Sequence, residues 1–123
     1  MLTVVVIVSI LAAIITPRWW LQQDKAKYAA CGQNLKNIAT ALQTYANDNG
    51  QYYPGSLNDL VPLHLPVLPS CPAAYNADTY SSNYQQSTDP RNFTVVCTGS
   101  FHTSIGVNTN EPWYELTSGL NPK

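Results

Sequence analysis

Apolar residues follow two different patterns along the first fifty positions. In MLTVVVIVSILAAIITP, residues 1–17, the polar side chains are Thr3, Ser9 and Thr16, and none is charged. The apolar positions Val4, Val5, Val6, Ile7, Val8, Ile10, Leu11, Ile14 and Ile15 show no helical stripe. A helix here is greasy all round and must be covered by lipid or by other protein. The run before Pro17 is slightly short of the roughly 20 residues of a free-standing membrane span. Arg18, Trp19 and Trp20 follow, a cation and two amphipathic rings suited to a membrane–water boundary. A signal peptide should open on a basic segment and close on a small-x-small cleavage site. The sequence has neither, so an uncleaved apolar helix running straight into a soluble domain fits better.

From residue 18 to 50 the pattern becomes amphipathic. Tyr28, Cys31, Leu35, Ile38, Ala39, Leu42, Tyr45 and Ala46 recur at three- and four-residue steps, which places them on one face. Gln33, Lys36, Asn37, Thr40, Gln43, Thr44 and Asn47 fall opposite. Gly50 suits the left-handed conformation that ends a helix. Pro17 lacks a backbone donor and crowds the carbonyl four residues back, so the long helix should kink or loosen within Ala13–Pro17. Taken end to end, the two halves would make a rod about 74 Å long.

Residues 51–123 read as one loop-rich domain. Ser56 and Asp59 have the spacing of a capping box on a short helix through Val61. Pro62, Pro66, Pro69 and Pro72 then enforce an irregular crossing, with Leu63, Leu65 and Leu68 expected to touch the core. From Thr79 the period becomes two. Tyr80, Ser82 and Tyr84 suggest one strand, Ser87–Asn92 with Asp89-Pro90 a turn, and Phe93, Val95 and Cys97 the opposite strand. Phe101, Ile105 and Val107 suggest a third, while Trp113, Tyr114 and Leu120 should pack back on the sheet. The expected fold is α+β: a long N-terminal helix with a small antiparallel sheet over the Tyr28–Tyr45 face of its C-terminal half.

Two blocks carry a family resemblance. Ile10-Leu11-Ala12-Ala13-Ile14-Ile15-Thr16-Pro17 resembles the ILAAIAIP segment of type IV pilins and type II secretion pseudopilins, and the apolar run before it is similar. NLKNIATALQTYANDNGQYYPGSLNDLVP, residues 34–62, resembles the end of the pilin helix and the segment after it. Together they cover about half of the chain, in the family's order. The basic leader, its cleavage site and the glutamate of that family would fall ahead of Met1, so no residue here takes those roles. The resemblance implies the pilin fold and a structural subunit of a helical filament built through the N-terminal helix. It also implies a place in the inner membrane before assembly and at the cell surface afterwards. The implied partners are copies of the same chain, a prepilin peptidase, a platform protein and an assembly ATPase. In such a filament Ser9–Pro17 should lose regular helix. The alternatives are the major pseudopilin of a secretion system and, from another class, a membrane-anchored periplasmic binding module that never polymerises.

Composition narrows the chemistry. The net charge is −1 and 11% of the residues are charged, so the surface offers no broad footprint for nucleic acid. Four of the six cations lie at or before Lys36, towards the membrane end. Of the three cysteines, Cys71 and Cys97 share the loop-rich half, and a bridge between them would close a loop worth about 3 kcal/mol. Cys31 falls on the apolar helix face, where a free cysteine acts as a small hydrophobe. A zinc site from Cys71, Cys97, His64 and His102 is the alternative, without CxxC or HxxxH spacing behind it. No metal or other cofactor is therefore expected. Nor is an enzyme, since there is no GxSxG, HExxH, P-loop or GxGxxG and neither histidine has an acid near it in sequence. Glu111 and Glu115 do not have the spacing of the pseudopilin calcium loop. Asn92-Phe93-Thr94 has the form of a glycosylation sequon. Trp19, Trp20, Tyr28 and Tyr45 could mark an electron path, but interface anchoring and core filling explain them better.

Overall fold

Two helices carry the N-terminal part of the chain, and a four-stranded sheet closes over the second. The computed structural model describes residues 1–15, 19–75, 77–88 and 91–122. Helix α1 spans Leu2–Ile15 and helix α2 spans Trp19–Asp48. The break expected at Pro17 lies outside the described residues. Ser9 sits inside unbroken α1, where its hydroxyl donates to the Val5 carbonyl at 2.8 Å. Such a bond back to the previous turn favours a bend without forcing one.

The amphipathic stripe of α2 is realised. Cys31, Leu35, Ile38, Ala39, Leu42 and Ala46 are buried, and Tyr28 and Tyr45 are half-buried at its edges. The predicted polar face is exposed throughout. Gly50 adopts φ 69°, and the Gln51 N–H reaches back to the Ala46 carbonyl at 2.6 Å. That is a Schellman ending, which occupies a carbonyl the helix would otherwise leave open.

After the helix, Leu57–Leu60 forms a 3₁₀ turn with both halves of the capping box, Ser56 to Asn58 N–H and Asp59 to Ser56 N–H. Leu57 and Leu60 enter the core, and Leu65 and Leu68 pack against it. Leu63 does not; it stands 88% exposed.

The sheet is an antiparallel meander in the order β1 (Gln85–Thr88), β2 (Arg91–Val96), β3 (Trp113–Glu115) and β4 (Gly119–Asn121). Phe93 and Val95 point inward from β2 as expected. The other strands differ from the sequence reading. Ser81–Asn83 is a 3₁₀ turn, because the Asp78 carboxylate accepts from the Tyr80 and Ser81 N–H groups and holds the chain bent there. Thr103–Ile105 is another such turn, so Phe101–Val107 supplies no strand. Strands three and four come instead from the tail. Leu120 of β4 reaches Gly32 on α2, where a Cβ would lie 3.2 Å from the leucine methyl. The turn expected over Ser87–Asn92 is shorter than that, because Ser87 and Thr88 pair with Asn92 and Arg91 in the β1–β2 ladder; Asp89 and Pro90 lie outside the described residues.

The Phe93 ring meets Tyr53 edge-on at 4.9 Å and stacks with Tyr114 at 6.0 Å, tying loop, sheet and tail together. The core is thus one layer of side chains between α2 and the sheet. Leu35 is wholly enclosed in it. Leu35→Ala should lower stability by about 2–5 kcal/mol. Lys36→Ala, on the opposite face, should stay within about 0.5 kcal/mol. Denaturant unfolding of the detergent-solubilised chain measures both, and equal effects would contradict the packing described.

Candidate metal centre

Four side chains from four separate segments converge under the sheet. Cys31 comes from the fourth turn of α2, Cys71 from the proline-rich crossing, Cys97 from the residue after β2, and His102 from the loop beyond. Their ligating atoms all lie within 4.8 Å of one another, and all four residues are buried. The His102 Nε2 stands 3.6 Å from the Cys71 sulfur and 3.9 Å from the Cys97 sulfur.

Local structure holds each group in place. Cys71 is the N-cap of a 3₁₀ turn over Pro72–Ala74, and Pro72 is well suited to its first position. Cys97 is fixed by its N–H bond to the Pro112 carbonyl at 3.0 Å, and next to it Thr98 donates from both backbone and hydroxyl to the Thr79 carbonyl. Gly99 then turns the chain at φ 116°, where a side chain would run into the Phe101 ring. Asn110 braces this loop by accepting from the Gly99 N–H and donating to its carbonyl, each at 2.8 Å. The result brings His102 back beneath Cys97, with its ring edge-on to Tyr28 at 5.2 Å.

Each sulfur also has its own polar neighbour. The Tyr80 hydroxyl lies 3.2 Å from Cys31, and the Thr79 hydroxyl 3.3 Å from Cys97. The Cys71 sulfur has the His102 Nε2 at 3.6 Å, and the Ala74 N–H donates to the Cys71 backbone carbonyl at 3.1 Å. Thr79 and Tyr80 owe their positions to the turn that Asp78 organises. Hydrogen bonds from the other two cysteines hold the Cys71 thiol far below its ordinary value despite burial. Cys31 moves the other way, raised by its bonds to Cys71 and Cys97 and then by burial. Burial first, and the contact with Cys31 second, raise the Tyr80 hydroxyl.

This arrangement revises the sequence reading of the cysteines. No Cys71–Cys97 bridge is formed: all three cysteines are free and buried. Cys31 lies in the core as expected, but as one corner of the cluster. The zinc set considered from sequence had the wrong second histidine. His64 packs edge-on against Tyr45, and its Nδ1 lies 3.9 Å from Asp48. The usable sequence signal was the short Cys97-x₄-His102 spacing across Gly99. Chemically, three thiols and an imidazole can hold a four-coordinate ion, or two of the thiols can oxidise to a disulfide.

The remaining predicted positions stand apart from the cluster. Asn92 is half-buried, and its amide donates to Glu115 at 3.4 Å. Glu111 accepts from the backbone and side chain of Asn108, and Glu115 also accepts from Ser118, so both carboxylates are engaged locally. Trp19 and Trp20 are exposed.

Comparison with known proteins finds no family model, no curated protein and no solved structure that matches the chain.

Burial makes a direct prediction. With the protein reduced and any metal removed, a thiol reagent should react slowly with the folded chain and label all three cysteines after denaturation. Fast labelling of the native protein would contradict the burial described.

Proposed function

We propose that the chain is a structural subunit of a type IV pilus-like extracellular filament, polymerising through α1. The observation that carries the reading is the state of that helix. All 14 residues of α1 are exposed, and its large side chains retain more than half of their surface. Most of them are aliphatic. No single helix among the described residues is long and apolar enough to cross a membrane, but α1 and α2 taken together pass on length and composition. Lipid can solvate α1 before assembly. Once a subunit leaves the membrane, only other copies of the same helix offer an equally apolar environment. A contact of this kind, repeated by a symmetry that does not close, makes an open fibre.

The α+β architecture supports the same reading, since the resemblance implies a long helix with a small antiparallel sheet over its second half. The head buries one face of α2 and leaves α1 uncovered, which divides the chain into a part that folds and a part that assembles. The proposed partners follow: the inner membrane first, then copies of the chain, with a peptidase, a platform protein and an ATPase driving export.

The test is to shear cells and assay the released material for fibres of this chain. The wild type should be released as fibres. Ile7→Asp should abolish release while the head stays folded, because a carboxylate at that position costs about 2.5–3.5 kcal/mol in an apolar surround. Fibres that stay within the cell envelope would favour the secretion-system pseudopilus. A detergent-soluble monomer with no fibres in any fraction would overturn the proposal in favour of an anchored module.

A further inference from the structure

We propose that Cys31, Cys71, Cys97 and His102 bind a zinc ion that fastens the head domain to α2. The donor set comes first. Three thiolates and one imidazole are soft and borderline ligands that select zinc over calcium or magnesium, and four of them complete a structural tetrahedral shell. All four residues are buried, Cys31 and Cys71 entirely, so no position is left open to water or substrate. The ion's role is therefore structural rather than catalytic.

Distances agree. With zinc–sulfur bonds of about 2.3 Å, the edges of a tetrahedron are about 3.8 Å between sulfurs and slightly less from sulfur to nitrogen. The two recorded edges from His102 are 3.6 and 3.9 Å. With every pair inside 4.8 Å, the ion has to draw no two ligands together by more than about 1 Å.

The surroundings make an independent argument. A thiolate bound to zinc keeps excess negative charge and is stabilised by hydrogen-bond donors outside the first ring of ligands. Here two of the three sulfurs have one: the Tyr80 hydroxyl at Cys31 and the Thr79 hydroxyl at Cys97. His102 offers Nε2 to the centre, and among the described residues the recorded side-chain partners of that atom are two sulfurs. A disulfide between Cys71 and Cys97 would use two of the four groups, leaving Cys31 and a buried imidazole without a role. Binding is a proton exchange with no redox step. Zn²⁺ displaces one proton from each of the three thiols, and neutral His102 contributes its Nε2 lone pair with its proton on Nδ1.

The benefit follows from topology. The four ligands come from the helix, the proline crossing, the end of β2 and the loop that follows, segments otherwise joined by a thin core. A head of about a hundred residues gains from such a staple. The inference stands on the cluster alone and does not depend on whether the chain polymerises.

The experiment uses the full chain in detergent, purified from cells without chelator, with thiols titrated and metals measured by mass spectrometry. Stoichiometric zinc with three thiols released on denaturation is expected. Replacement by cobalt should give the intense visible bands of a tetrahedral ion and thiolate-to-metal charge transfer. Cys31→Ser and His102→Ala should lose that spectrum, while His102→Cys should keep a tetrahedral one and His64→Ala should leave it unchanged. Tyr80→Phe, which removes only the outer donor, should weaken zinc binding by about 10–100-fold. Chelation should lower the unfolding midpoint of the wild type. A reduced wild-type chain that takes up neither zinc nor cobalt would overturn the proposal whatever the variants do. So would a purified chain two hydrogens lighter, with Cys71 and Cys97 joined and no metal.

Discussion

The structure depends on the burial of one face of α2. Cys31, Leu35, Ile38 and Leu42 are fully enclosed there, and the 3₁₀ turns at Leu57–Leu60, Pro72–Ala74 and Thr103–Ile105 and strands β2–β4 pack against α2. The capped turn delivers Leu57 and Leu60, the sheet delivers Phe93 and Val95, and the tail returns Leu120 against Gly32. Burial of each such side chain contributes about 1.5–3 kcal/mol, and few other terms act at comparable size. The exposed polar bonds are shared among short turns, and the histidine–carboxylate contact between His64 and Asp48 is loose at 3.9 Å. A head built this way is thin, and a cross-link near its centre has more effect than it would in a larger domain.

The cysteine–histidine cluster lies within that same layer, so stability and metal chemistry share one location. Cys31 belongs to the apolar stripe by its helical spacing and to the cluster by its side chain. Asp78 contributes at one remove. By bending the chain at Tyr80 and Ser81 it places the hydroxyls of Thr79 and Tyr80 against two of the sulfurs. Burial pushes its carboxyl up, but the backbone N–H groups of Tyr80 and Ser81 donate to it and the net effect holds it below the ordinary carboxylate value. Its contribution is therefore fully present above the unfolded value of about 3.9 and is lost as pH falls through the lower folded value.

Much of the architecture was legible because periodicity is a local property. The stripe on α2, the glycine that ends it, the capping box at Ser56 and the inward Phe93–Val95 pair all follow from neighbours within four residues. The errors arose where short segments compete. Tyr80, Ser82 and Tyr84 alternate as a strand would, but the Asp78 carboxylate captures the backbone first. Trp113–Glu115 and Gly119–Asn121 are three residues each, too short to show a period; the first is placed by pairing with β2, distant in sequence, and the second by pairing with the first. The cluster was less legible still. Its members are brought together by the fold, and only Cys97 and His102 are close in sequence. The histidine chosen from sequence beside His102, His64, was claimed by Tyr45 and Asp48.

Outside the core stands α1, an apolar helix exposed along its whole length, and in the proposed filament copies of it cover one another. The most direct measurement is a helical reconstruction of fibres containing this chain. The account predicts α1 helices packed together along the fibre axis, heads outward, with regular helix lost between Ser9 and Pro17. Fibres held together through the heads, with α1 on the outside or absent from the contacts, would contradict it.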